Sequence, residues 1–163
     1  MMTKFLFGVA LVAFGSFCGY FLAKKYRQRK SFFAQLHLFN ERFISEVSYY
    51  RRPLHEFANS YAFQGEFAFL LTDFLRNMEQ NGAPLSIDWS QYSFLKKDEQ
   101  AAVQDYFLML GRGDSSSQKA YFSSVSTVIS KWNADANLAA KKYGDLYIKL
   151  GFLCGLFILI LII

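Results

Sequence analysis

Residues 115–163 read SSSQKAYFSSVSTVISKWNADANLAAKKYGDLYIKLGFLCGLFILILII. Tyr121, Val125, Val128, Trp132, Ala136, Ala139, Tyr143, Leu146 and Leu150 recur there at three- and four-residue spacing, and no proline interrupts them. That is the period of one face of an α-helix. The stripe runs directly into residues 150–163, which carry no charge and no polar face. A single helix over the whole stretch would be about 70 Å long, far longer than a small soluble domain needs. The last 14 residues are short for a bilayer span, but Tyr147 and Ile148 extend them. Lys149 can draw its ammonium back to the interface while its stem stays in the apolar layer.

The other end of the chain has the same character. Residues 5–23 contain no charge, and 19 residues at about 1.5 Å each match the hydrocarbon thickness of a bilayer. Lys24, Lys25, Arg27, Arg29 and Lys30 follow at once, and no small-x-small cleavage site intervenes. The segment therefore reads as an uncleaved anchor and not as a signal peptide. The basic flanks, with Lys141, Lys142 and Lys149 before the second apolar run, predict two spans with both termini outside the cytoplasm. Three parts follow: an N-terminal transmembrane anchor over 1–23, a cytoplasmic helical bundle over 24–149 and a C-terminal transmembrane helix over 150–163. Of 18 Lys and Arg and 13 Asp and Glu, Lys4 alone lies outside the middle part. Cys18 and Cys154 both fall in the spans, where they read as small buried residues with no disulfide or metal role.

The middle is helical in period throughout. Two Pro and ten Gly in 163 residues exclude a turn-rich all-β fold and a disordered or collagen-like chain. Phe32, Leu36, Phe39, Phe43, Val47 and Tyr50 form one stripe, continuing from the first span, and Pro53 either ends that helix or starts the next. Leu54, Phe57, Ala58 and Tyr61 predict a short helix closed near Gly65. Phe67, Leu70, Leu71, Phe74, Leu75 and Met78 predict another, stopped by Asn81-Gly82 with Pro84 beyond. A short helix is expected over 87–95. Asp98 is a candidate cap for a helix carrying Val103, Tyr106 and Phe107 that Gly111 ends, and Asp114 is a candidate cap for the last helix. The whole is all-α: an antiparallel bundle of about six helices, its first and last helices continuous with the membrane spans.

No motif for chemistry stands out. There is no phosphate loop, no nucleophile elbow and no H-E-x-x-H. His37 and His55 stand alone and read as helix-surface residues. Arg112-Gly113-Asp114 reads as a turn and cap. No catalytic residue, metal ligand or cofactor site is assigned, and neither nucleic acid nor a small-molecule substrate is expected. Two features point to binding. Phe69 lies on the Asp73/Arg76 side of its helix, either covered by a further helix or part of a partner patch. Gly15 and Gly19, and Gly151 and Gly155, each form G-x-x-x-G, a face that lets membrane helices approach closely. Counted from Lys24 and Lys149, Gly19 and Gly155 are expected at one depth, with Cys18 and Cys154 level.

In order along the chain come Gln35-Leu36, Glu46-Val47-x-Tyr49, Pro53-Leu54, Leu95-Lys96-Lys97-Asp98, Leu110-Gly111-x-x-Asp114-x-x-x-Gln118 and Leu150-Gly151-Phe152-Leu153-x-Gly155-Leu156. With these motifs the chain resembles the stage III sporulation protein AB family of endospore-forming bacteria. Tyr50 and Arg52 depart from the Gly and Thr that the family favours, and residues 76–92 match poorly. The resemblance implies a non-enzymatic scaffold in the bacterial mother-cell membrane around the forespore, within the secretion-like channel that joins the two cells. Its implied partners are the bilayer, a cytoplasmic secretion-type ATPase and the ring-forming proteins of the complex. The cytoplasmic part is implied to resemble one repeat of the type II secretion and type IV pilus platform protein. Pro53, Leu54, Gly111, Asp114 and Gln118 are motif positions with turn and cap roles. The alternative reading is a membrane-anchored helical regulator or sensor outside such a complex.

Overall fold

The computed structural model describes residues 2–50, 52–81, 87–110, 112 and 114–162, with side chains for 10, 12–50, 52–79, 87–110, 112 and 114–160. The protein is all-α, and no strand occurs among the described residues. Helix α1 is Met2–Ser45, followed by a π-helical turn, π1, at Glu46–Tyr50. Then come α2 (Leu54–Asn59), α3 (Gly65–Asn81), α4 (Lys97–Met109) and α5 (Ser115–Ala139). A second π-helical turn, π2, at Ala140–Gly144 leads into α6, Asp145–Ile162. The chain divides into two compact units: residues 1–30 with 135–163, and residues 31–134.

In the first unit α1 and α6 run antiparallel. Gly15 lies against Gly151 and Gly155, Gly19 against Tyr147 and Ile148, and Tyr26 stacks on Tyr143 and Tyr147 at 5.4 and 5.8 Å between ring centres. Outside this seam the side chains are exposed and apolar: Phe14, Phe17, Phe21 and Leu22 on α1, and Phe152, Leu153, Phe157 and Ile160 on α6. Cys18 and Cys154 belong to this exposed surface and are not buried as expected, because each sits beside, not on, the glycine face. Among the described residues one helix is long and apolar enough to cross a membrane, within Ser115–Ile160, at mean hydropathy 1.6. The expected first span falls partly on residues 5–9 and 11, whose side chains lie outside those described, as does Gly8.

The second unit is built round phenylalanine. Phe39 on α1 meets the rings of Phe43, Phe57, Phe63, Phe67 and Tyr106, all between 5.4 and 6.4 Å. Edge-to-face and offset pairs of this kind add to the burial of the rings themselves. The expected α1 stripe holds for Phe32, Leu36, Phe39 and Phe43, which are buried, and then changes. The next buried position is Glu46, while Tyr50 is exposed. Glu46 keeps the seven-residue spacing from Phe39, and the wider π1 turn carries the residues after it, Tyr50 among them, off the stripe.

Three other local expectations are corrected. Gly65 does not close α2; it opens α3, with φ of +64° that suits glycine, and the Gln35 side chain accepts the N–H of Gln64 beside it at 3.3 Å. Residues 87–95 form successive tight turns in place of a helix, with N–H of Tyr92 bonded to the Trp89 carbonyl and N–H of Leu95 to the Tyr92 carbonyl. Ile87, Tyr92, Phe94 and Leu95 are all buried within these turns. Asp98 does not cap α4: Lys96 holds the N-cap place, and Glu99 reaches back to its N–H at 3.0 Å. The expected stops at Gly82, Pro84 and Gly111 lie outside the described residues.

Candidate interaction site

Pro53 is the N-cap of α2, in extended conformation, and its carbonyl receives the N–H of Phe57 at 3.0 Å; Leu54 is the first helical residue. A proline suits this place because a helix start has no use for its missing N–H. Asp114 stands just before α5. Its carboxylate accepts the Ser116 hydroxyl and the Ser117 N–H, the latter at 3.4 Å, and these bonds push its pKa down to about 2. Gln118 donates its backbone N–H to the Asp114 carbonyl and its side-chain amide to the Arg112 carbonyl, both at 3.0 Å. Asp114 and Gln118 together fold the α4–α5 connection onto the start of α5.

Two buried polar groups were not visible as site residues in the sequence. Glu46, only 3% exposed, receives Arg52 at two places: Nη2 to Oε2 at 2.6 Å and Nε to Oε1 at 2.9 Å. The Arg52 N–H adds a third bond to Oε1 at 3.1 Å, and Arg52 Nη1 donates to the Ser60 hydroxyl. This fork ties π1 to α2. A charge pair therefore closes that corner. The only sequence signal was a carboxylate on the heptad continuation of the Phe39–Phe43 stripe, with an arginine six residues on. Asn40 is fully buried: its amide donates to the Phe122 carbonyl at 3.2 Å and its oxygen accepts the Tyr106 hydroxyl at 3.1 Å. One side chain of α1 thereby joins α4 and α5, and burial pushes the Tyr106 phenol well above its ordinary pKa.

The Arg52 fork holds the Glu46 carboxyl below its ordinary value of 4.5. A folded-state pKa below the unfolded one contributes stability above the unfolded value and loses it as pH falls through the folded one. In Arg52→Ala the carboxylate is left buried without its partner, so acid relieves the variant by protonating it. The stability gap between wild type and Arg52→Ala is therefore expected to be wide at pH 7 and to narrow below about pH 4.5. Denaturant unfolding at a series of pH values measures it; a gap independent of pH removes the fork as a stabilising element.

Phe69 is 67% exposed, one turn from Thr72 and Asp73 and two from Arg76, with Arg76 and Asp73 paired at 3.6 Å. No further helix covers it among the described residues. Asp73 also lines a small cavity with Leu70, Asn77, Ile87 and Tyr92. The larger opening lies over α4 and α5, a groove of about 270 Å³ lined chiefly by Leu36, Val103, Tyr121, Val125, Ile129 and Trp132, with Asp105 at its edge. The α5 stripe read from the sequence, which left out Phe122 and Ile129, is corrected. Phe122 and Ile129 are buried, while Tyr121, Val125 and Trp132 are half-buried and Val128 is exposed, forming a groove wall and not core. His37 faces Glu41 at 3.4 Å and His55 faces Glu79 at 3.1 Å. Among the described residues no three of His, Cys, Asp and Glu gather as a metal-ligand set.

The four glycines of the two G-x-x-x-G faces meet in the first unit. A Cβ built on Gly15 would lie 2.7 Å from the Gly151 carbonyl oxygen, and one on Gly151 would run into the Gly15 carbonyl. One on Gly19 would run into the Tyr147 carbonyl. Gly155 faces Gly15, not Gly19, so the level pairing counted from Lys24 and Lys149 is corrected. The helices interlock Gly151 between Gly15 and Gly19, which slides α6 by nearly two turns relative to that count and leaves Cys18 and Cys154 at different heights.

Over residues 4–163 the chain matches the family model described as stage III sporulation protein AB. The chain belongs to that family. Stage III sporulation protein AB of Bacillus subtilis (strain 168) is 26% identical over 170 residues, covering 99% of both chains. No solved structure matches. Membership assigns the protein to sporulation. The family model covers both interlocking glycine pairs, Pro53, Leu54, Asp114 and Gln118, and also Glu46 and Arg52, whose pairing only the structure reveals.

Proposed function

We propose that the protein is a non-enzymatic membrane scaffold of the mother-cell-to-forespore channel, a secretion-like complex, and that its second unit contacts a cytoplasmic secretion-type ATPase. The observation that carries this reading is the first unit: two antiparallel helices with a glycine seam inside and phenylalanine and aliphatic side chains outside. Such a surface suits lipid on every side and is costly in water. In this reading both helices span the mother-cell membrane, both termini lie outside the cytoplasm, and the residues between the spans form the cytoplasmic part. Ring-forming channel proteins are the further partners. The second unit offers Phe69 and the α4–α5 groove for contact.

The test has two arms. A reporter active only outside the membrane is expected to be active when fused at Ile163 and silent when fused after Gln80; the reverse sinks the topology. Full-length protein in membranes is expected to co-purify with the ATPase of the same complex, and Phe69→Ser or Val125→Glu to reduce the yield while helix content is kept. Stable protein in the membrane that never captures the ATPase favours the regulator or sensor reading.

A further inference from the structure

The net charge of +5 is divided very unevenly. The first unit holds nine Lys and Arg against Asp135 and Asp145, whereas the second holds nine against eleven acids. Eight of the nine cations of the first unit lie in residues 24–30 and 141–149, where Asp145 is the one acid. Lys24, Lys25, Arg27 and Lys30 on α1 are exposed, as are Lys141 and Lys142 in π2. None of these six forms an ion pair with a carboxylate among the described residues. They are brought together by the helix register: Tyr26 stacks on Tyr143, which puts Lys24 and Lys25 within a turn of the height of Lys142. The aromatic rings at this level complete the pattern. Tyr26, Tyr143 and Tyr147 form one stack, Arg27 sits 5.6 Å from the Tyr20 ring and Lys142 sits 5.3 Å from the Tyr143 ring. Tyrosines beside an apolar slab occupy the headgroup level of a bilayer. Cations at that depth, without acids to pair them, face the phosphate layer.

We propose that the collar of Lys24, Lys25, Arg27, Lys30, Lys141 and Lys142 binds the headgroups of anionic phospholipids and concentrates them round the helix pair. The proposal rests on the membrane reading above, since only insertion of α1 and α6 brings the collar to that depth. Charge complementarity selects the occupant: each Lys or Arg near an anionic leaflet contributes attraction that a zwitterionic one lacks. A soluble phosphate would find the same cations but no gain from the tyrosine stack or the apolar surface below it.

The test uses the full-length protein in nanodiscs of phosphatidylcholine with a minor fraction of phosphatidylglycerol. Lipid carried out of the disc with the protein is counted by native mass spectrometry. Phosphatidylglycerol is expected to be enriched over the bulk ratio, and Lys24→Gln/Lys25→Gln/Lys141→Gln/Lys142→Gln to lose that preference by about tenfold. A matched variant of the second unit, Arg76→Gln/Lys97→Gln/Lys119→Gln/Lys131→Gln, is expected to keep it. Bulk-ratio lipid on wild type, or equal enrichment in the collar variant, overturns the proposal. So does displacement of phosphatidylglycerol by millimolar inorganic phosphate, which would mark a soluble-anion site. Flotation with neutral vesicles separates the two levels: if wild type and collar variant both float, the membrane reading stands whatever the lipid count, and if wild type does not float, both readings fall.

Discussion

Phe39→Ala is expected to cost the second unit about 3–5 kcal/mol, the usual loss when a buried aromatic is truncated and its neighbours cannot close the space. Phe39 is fully buried and is the ring that five others share, from α1, α2, α3, α4 and the α2–α3 turn. Four of those five rings belong to residues already packed on one another, so they have little freedom to collapse inward. Both tryptophans, Trp89 and Trp132, lie in this unit, and Trp132 packs on Phe33 at 5.5 Å. Their fluorescence in denaturant therefore reports this unit of the full-length protein. A loss below about 1 kcal/mol would show that the ring cluster is not the core. Phe69→Ala, on an exposed ring, is expected to change stability little.

Gly151→Leu is expected to force α1 and α6 apart by about 2–3 Å, toward the 8–10 Å at which ordinary helices pack. The obstruction is backbone, not a flexible side chain: the new Cβ would meet the Gly15 carbonyl and approach the Gly19 Cα at 3.1 Å. Neither helix can yield there without moving as a body. Cys18 and Cys154 are the two cysteines of the chain, both exposed and one on each helix. Spin labels on them measure the separation in lipid without further substitution. Gly144→Leu is the control, because a Cβ at Gly144 meets nothing within 4 Å. An unchanged spin–spin distance in Gly151→Leu, or an equal shift in Gly144→Leu, would remove the glycine seam.

Much of the helix content was legible because helical periodicity is local. The stripes at Phe32–Phe43, Phe67–Phe74 and Val103–Phe107 depend only on residues three and four apart, and the structure buries them. Turn chemistry was legible at Asp114, whereas Pro53 fitted the end of one helix or the start of the next, and the structure makes it the N-cap of α2. Turn chemistry failed at Gly65, since glycine suits the end of one helix and the turn before the next equally well. The period of apolar residues also hid Glu46 and Asn40: a count of hydrophobic positions passes over a buried carboxylate or amide, whose stability depends on Arg52, Tyr106 and Phe122 being brought to it.

The chain by itself determined an all-α protein with uncharged apolar ends, a cation cluster beside each, and glycines spaced for close helix approach. These are properties of neighbouring residues, set by the 3.6-residue repeat and by where charge is absent. Only the tertiary structure decided which glycine meets which, because sliding one helix by a turn or two leaves both sequences equally helical and changes only the contacts between them. It also decided that Tyr121, Val125, Val128 and Trp132 wall a groove while Phe122 enters the core and the buried Ile129 borders both. Those two faces lie about 100° apart on one helix, and which of them is covered depends on where α1 and α4 pack, not on α5.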